Sequence, residues 1–395
     1  MPNARQDLRV LVYDTYDEST RVLQADLSGS WTRLQFSSVL HGGFKDCSMT
    51  IPMRLDQLWT SLRSEERGWH FYHLEITEDH RTVWEGRIMQ TALDIARGTV
   101  QLNLLALGYW SSLRDQYYTN ASPTANWKAS DVIKDMLTNK CPDINSDQGN
   151  IDANARDIQD GANDQIDLSE TLYPQQFIVD KLGPIADSDG KEYFAAVWEN
   201  RLFYWKPKAL TQVDWHLDLG AIARGRLVQD GMHVRNTIIP VTDGTLGTEA
   251  SDADSQSIYP DRDLKVTVPK GLVDAGGASD DMRDAILADR KTPKQSQGFT
   301  IDGPLYSSVA APHLGASAGA LVERPKWWMR AGEVVRIRDL VPASVASPAF
   351  DNLRTFWLRE VLYNAINDAV TLQPDSPSRG LGGILPRLGN IERDR

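Results

Sequence analysis

The string Gly315-Ala-Ser-Ala-Gly319 matches G-x-S-x-G, the pattern that presents a nucleophilic serine for acyl transfer. That chemistry needs Ser317 on a strained strand-to-helix turn, followed along the chain by an acid and then a histidine. His313 is the last histidine of the chain, so no base follows Ser317. The neighbours Ala310-Ala-Pro-His-Leu314 and Glu323-Arg-Pro325 suit neither a buried parallel strand nor a long helix. A flexible small-residue linker is the better reading.

Metal chemistry fares no better. His70 and His73 are three residues apart, and on a strand that spacing sends them to opposite faces. There is no H-E-x-x-H, no paired C-x-x-C and no third ligand at useful spacing. Asp187-Ser-Asp-Gly-Lys-Glu192 opens like a calcium loop, but Lys191 takes the fifth position and Trp198 stands where the closing Glu belongs. The run 143–170 holds eight acidic residues against Arg156 alone, which reads as a solvated loop with poor spacing for Ca²⁺. No phosphate-binding glycine loop occurs. The sequence nominates no catalytic, cofactor-binding or metal-binding residue, and the chain is read as not an enzyme.

The elements around these strings are mostly strands. At 395 residues the chain is too long for one ordinary core, so several domains are expected. Residues 8–107 read as a meander: Leu8–Tyr13, Leu34–Leu40, Cys47–Pro52, Trp69–Thr77, Thr82–Met89 and Val100–Leu107, with a short helix over Leu55–Ser64. Region 109–215 is read as α+β. Its first helix is capped at Ser130 or Asp131, its second has Pro174 in the first turn and stops at Gly183, and a hairpin turns at Glu199-Asn200. Strands return from His216, including Met232–Pro240, Val334–Leu340 and the hairpin Thr355–Asn364/Ala369–Pro374. The expected division is 1–108, a first β-barrel; 109–215, an α+β domain; 216–240 with 326–375, a second β-barrel; 241–325, an inserted subdomain; and 376–395, an extended tail. The fold class is therefore mainly β with α+β insertions.

Composition bounds the rest. Net charge is −12, which disfavours nonspecific gripping of DNA. No run of about 18 apolar residues exists, so no spanning helix is expected, and Met1–Asp14 lacks the apolar region of a secretory signal. Cys47 and Cys141 are expected to be buried and reduced. Twelve tryptophans and twelve tyrosines are read first as β-domain core.

One resemblance runs along nearly the whole chain. Its pieces are Leu40-His-Gly-Gly-Phe44 through Pro52, Val83–Ile88, Ala106-Leu-Gly-Tyr109 and Ala129-Ser-Asp-Val-Ile133. They continue through Ala196-Val-Trp-Glu199, Ser257-Ile-Tyr259 with Arg262, Arg330-Ala-Gly332 to Leu340, and Tyr363–Asp375. In that order they resemble the tail-tip or baseplate hub proteins of long-tailed bacteriophages, related to the N-terminal part of type VI secretion spike proteins. His41 stands where the family more usually has proline, and Pro260 where it has glycine, which leaves those loop shapes open.

The resemblance implies two β-barrels per chain and a homotrimeric ring that adapts a sixfold tail tube to a threefold tip. It implies a channel for DNA in transit, and as partners the tail tube or distal tail ring, a tip spike or central fibre protein, and a tape-measure protein. It needs no cofactor, and the implied location is the virion, after synthesis in the host cytoplasm. The alternative reading is a glycan-degrading or glycan-binding tail protein acting at the host surface.

Overall fold

Alternating burial dictates most of this architecture. In Thr99–Leu107 the even-numbered residues Val100 to Ala106 are buried and their neighbours point outward. The computed structural model describes residues 7–53, 69–96, 99–119, 128–145, 151, 159–160, 163–164, 171–182, 193–207, 213–230, 232, 234–242, 245–267, 280, 283–284, 286–287, 290–291, 294–309, 318–340 and 355–375. The expected helix at Leu55–Ser64, the string around Ser317, the Asp187–Glu192 turn, Gly183 and most of the acidic run lie outside these residues.

The first half contains β1 (Arg9–Tyr13), β2 (Leu23–Asp26), β3 (Arg33–Val39), β4 (Gly42–Met53), β5 (His73–Glu78), β6 (Arg81–Ala96) and β7 (Thr99–Leu107). They pair antiparallel in the order β2-β1-β5-β6-β7-β4-β3. Two expected strands are longer than their alternation suggested: β4 begins at the glycine pair, and β6 runs on beyond its pairing with β5. Trp69–Phe71 is a turn, with Phe71 at φ 65°, so β5 starts only at His73.

Next come the short pair β8 (Gln159–Asp160) and β9 (Asn163–Asp164), then β10 (Tyr193–Val197) and β11 (Phe203–Pro207), which form the expected hairpin. Asn200 and Arg201 take positive φ at its tip. The helix Ala129–Lys140 starts at Lys128, whose N–H donates to Asp131 Oδ2 at 3.0 Å. Ser130 is instead buried within the helix. The second helix begins at Pro174 as expected and continues as a π-helical turn over Phe177–Leu182. Val132, Ile133, Met136, Phe177 and Ile178 face Tyr193, Phe203 and Trp205 in one core.

The second half contains β12 (Trp215–Asp218) and β13 (Ile222–Asp230), followed by β14 (Thr237–Thr242), β15 (Thr245–Leu246), β16 (Ala250–Ser251) and β17 (Asp263–Thr267). It ends with β18 (Lys294–Ile301), β19 (Leu305–Val309), β20 (Ala318–Arg324), β21 (Val334–Arg338), β22 (Thr355–Asn364) and β23 (Ala369–Pro374). Strands β14 to β17 make a separate small sheet. Strands β18 and β19 pair with β13, β23 and β12, not with that sheet. The expected strand over Met232–Pro240 starts late, at Thr237, because Asn236 spends its polar groups on Pro260 and Arg262.

β22 joins the two halves. Its first residues, Thr355–Trp357, pair with β21, and Glu360–Asn364 pair with β3, while β23 takes its other edge. The chain is thus mainly β, with a 17-stranded and largely antiparallel strand network in which β22 connects the two halves, beside the small β14–β17 sheet and the β8–β9 pair. Among the described residues no strand pairing closes the network into a full ring. No helix of the described residues is long and apolar enough to cross a membrane.

Candidate functional site

The residues that carried the resemblance are scattered in sequence, but five of its pieces converge at one junction. It begins at Gly42 and Gly43, with φ of 139° and 80°, values open to glycine and strained for other residues. β10 comes alongside this pair in parallel, Ala196 opposite Gly42 and Val197 opposite Gly43. A Cβ on Gly43 would lie 2.0 Å from the Val197 carbonyl oxygen, so this approach requires hydrogen at that position. Gly108 serves the same purpose on the other side of Phe44, where a Cβ would be 1.8 Å from the Phe44 oxygen.

Phe44 is thereby fixed between Trp84 of β6 and Trp198 at the end of β10, meeting Trp198 edge-on at 5.2 Å. Arg330, from the segment entering β21, lies over both rings, 4.9 Å from Phe44 and 5.6 Å from Trp198. Its Nη1 pairs with Glu199 and its Nη2 donates to the Thr82 carbonyl at 2.7 Å. One guanidinium therefore ties β6, the β10–β11 hairpin and the second half together. Its planar fork and weak hydration suit such a stacked, doubly bonded position. The next residues continue the joint: Ala331 N–H donates to Ser38 Oγ at 3.0 Å, and Gly332 N–H to the Leu358 carbonyl at 2.8 Å.

Two buried carboxyl groups, Glu85 and Glu333, and a half-buried one, Asp214, lie in and beside this joint. Glu85 accepts the Arg201 N–H at 2.7 Å, yet burial, reinforced by Glu75 and Glu199, pushes its pKa up to about 8. Glu333 accepts from Trp215 Nε1 at 2.7 Å and from Arg330 N–H at 2.8 Å, and burial raises it to about 7. Asp214 takes the Val334 N–H at 2.8 Å, and burial plus the nearby Glu333 raise it to about 7. A second bridge lies nearby, where Trp327 and Trp328 both donate their indole N–H to Glu78.

This arrangement holds segments in register; it brings no nucleophile to a base. His73 is buried against the Tyr109 hydroxyl at 2.8 Å, while His70 is exposed in the turn before β5. The two are kept apart because they do not share a strand, and not by the strand alternation that was expected. Cys47 and Cys141 are free and buried, and burial pushes both thiols up, Cys141 to about 12. Among the described residues no group of three or more His, Cys, Asp or Glu could hold a metal ion. Sequence reasoning missed the roles of Arg330, Glu333 and Asp214. Their only signal is charge inside otherwise apolar strings, which does not say what a side chain meets across the fold.

No family model matches the chain, and no curated protein does. Solved structures do. A tail protein from Neisseria meningitidis MC58 superposes with a TM-score of 0.61 at 14% identity, over 96% of this chain and 98% of its own. The 43 kDa tail protein of prophage MuSo2 from Shewanella oneidensis gives 0.62 at 10% identity, over 95% and 100%. Prophage tail protein gp18 from Listeria monocytogenes EGD-e gives 0.53 at 9% identity, over 98% and 99%. The chain shares its fold with these proteins from end to end.

Proposed function

We propose that the protein is a structural hub of a phage tail tip or baseplate, and not an enzyme. The observation that carries this reading is the whole-chain fold match to tail proteins, over 96% and 95% of this chain and 98% and 100% of theirs. In this reading the strands of the two halves form two barrels, and three chains close a ring with six similar barrels around a channel. The division 1–108, 109–215, 216–240 with 326–375, 241–325 and 376–395 would supply them, with β18 to β20 of the 241–325 segment added to the second barrel, where β18 pairs with β13 and β23, β19 with β12, and β20 with β19.

Two long strands support ring closure. β6 is paired with β5 up to Arg87, and Ile88 still exchanges hydrogen bonds with Phe71 and Tyr72, so its outer edge has no strand partner among the described residues only from Met89 to Ala96. β13 is paired on one side by β18 and on the other has no strand among the described residues. Open edges are templates for pairing, and a closed ring of copies removes them. The β6 edge carries Asp94, and the β13 edge carries exposed Arg224 and Arg226, so the two are complementary in charge.

The ring would stack on the tail tube or distal tail ring and carry a spike or central fibre protein below. A tape-measure protein, then DNA, would pass through. An acidic protein suits a conduit that must not hold DNA. The site of action would be the virion tail tip. Light scattering over a concentration series tests the reading. Three copies of 44.2 kDa, seen as an annulus in electron micrographs, are expected. A stable monomer that clears host cell wall in a zymogram would overturn it in favour of a glycan hydrolase.

A further inference from the structure

One face of the β5–β6 pair is polar and yet buried. His73 and Glu75 of β5 stand directly opposite Arg87 and Glu85 of β6. His73, Glu85 and Arg87 are only 3%, 4% and 6% exposed. Glu75 and Glu85 are thus two carboxyl groups facing each other across the strands, where like charges repel.

The two are not equivalent. Glu75 pairs with Arg21 at 3.1 Å and accepts from Thr82 Oγ1 at 3.3 Å. Glu85 forms no ion pair among the described residues and accepts the Arg201 N–H at 2.7 Å. The charged and titratable groups around it are Glu75 and His73 of β5, Arg87 of its own strand, Tyr109 after β7, and Glu199 and Arg201 of the β10–β11 hairpin. Burial holds His73 near 3 and Tyr109 well above its ordinary value, so neither changes charge between pH 6 and 8. Both arginines stay charged.

The lid over Glu85 is the hairpin tip. Asn200 and Arg201 hold φ of 57° and 58°, a left-handed conformation that is strained outside glycine. Arg201 seats the tip through its N–H on Glu85, its guanidinium 4.1 Å over the Tyr16 ring, and Nη1 on the Asp143 carbonyl at 3.2 Å. Its neighbour Glu199 holds Arg330, which joins the second half. A neutral Glu85 can lie under this lid. An ionised one, facing Glu75 and Glu199, needs water, and lifting the tip admits it.

We propose that the tip Glu199–Arg201 is a proton-operated latch, seated while Glu85 carries a proton and lifted when that proton leaves. Lifting also draws Glu199 from Arg330, so the latch controls how firmly the two halves are tied. The seated state keeps a proton that the lifted state, with Glu85 back near 4.5, has released. Rising pH therefore favours lifting up to about 8 and no further.

Hydrogen exchange of the full chain, read by mass spectrometry on peptides covering Trp198–Phe203, tests this. After division by the intrinsic exchange rate, protection there should fall at least tenfold from pH 6 to 8 and then level off. Low urea should leave it unchanged, because the tip opens locally, while protection of Thr99–Leu107 erodes with urea as global unfolding does. Glu333 and Asp214 titrate in the same range, so the decisive comparison is Glu85→Gln, whose tip should hold its protection within twofold. Glu75→Gln, which removes the facing charge, should shrink the fall. The proposal is overturned by no fall in the parent, by an equal fall in either variant, or by tip exchange that follows urea as Thr99–Leu107 does.

Discussion

Arg330 and Glu199, 131 residues apart in sequence, form an ion pair whose side chains are only 4% and 14% exposed. Neither charge has water enough to stand alone. Removing one partner of such a pair costs about 3–5 kcal/mol, because the other remains buried and uncompensated. Arg330→Met should therefore lower the urea-unfolding free energy by about that amount. The double variant Arg330→Met/Glu199→Gln should lose less than the sum of the single losses. Strict additivity in that cycle would mean that the pair does not couple the hairpin to the second half.

Gly43 makes a sharper test, because its requirement is steric. With φ at 80° and a hypothetical Cβ 2.0 Å from the Val197 oxygen, Gly43→Ala must separate β4 from β10. A loss of at least about 3 kcal/mol is expected. Gly220→Ala is the control, since a Cβ there meets nothing within 4 Å and should change stability by less than about 0.5 kcal/mol. Equal effects at the two positions would remove the glycine pair from the argument.

The contrast between these residues shows what the sequence made legible. Strands with strict alternation, such as Thr99–Leu107, and turns marked by Gly or by Asn200, were readable because their cause is local. The glycine pair was readable as a break, but not as the docking place of β10, whose Ala196 arrives 154 residues after Gly42 and which runs parallel. Nothing in a single sequence reveals that β22 divides its length between β21 and β3. The buried carboxyls were hidden for a related reason: Glu85 and Glu333 look like surface residues until the segments above them are placed.

Those carboxyls give the protein a particular pH dependence. Glu85 and Glu333 lie near 8 and 7 in the fold against an ordinary 4.5, and Asp214 near 7 against 3.8. Between the ordinary and folded values the native state holds protons that the unfolded chain has released, so stability falls as pH rises through that window. His73, lowered to about 3 by burial, acts oppositely below 6.5, where the unfolded chain binds the extra proton. From pH 6.5 to 8 the carboxyls act without that opposition, and the melting temperature should decline steadily. Glu85→Gln should flatten the upper part of the decline. A melting temperature that rises over this range would refute the assignment.

The open edge of β6 offers a way to separate folding from assembly. Leu93 and Ile95 are 38% and 68% exposed, and their backbone on that side has no partner among the described residues. Replacing both with lysine removes little buried surface, so the melting temperature of the isolated chain should hardly move. Edge lysines do, however, discourage strand-to-strand pairing between molecules. If the parent assembles as proposed, light scattering should show the Leu93→Lys/Ile95→Lys chain as a monomer at concentrations where the parent associates. Arg224→Glu/Arg226→Glu on β13 should weaken the same association and make it less sensitive to salt. If both variants assemble like the parent, these edges are not the ring contacts, and closure must be sought on other faces of the two sheets.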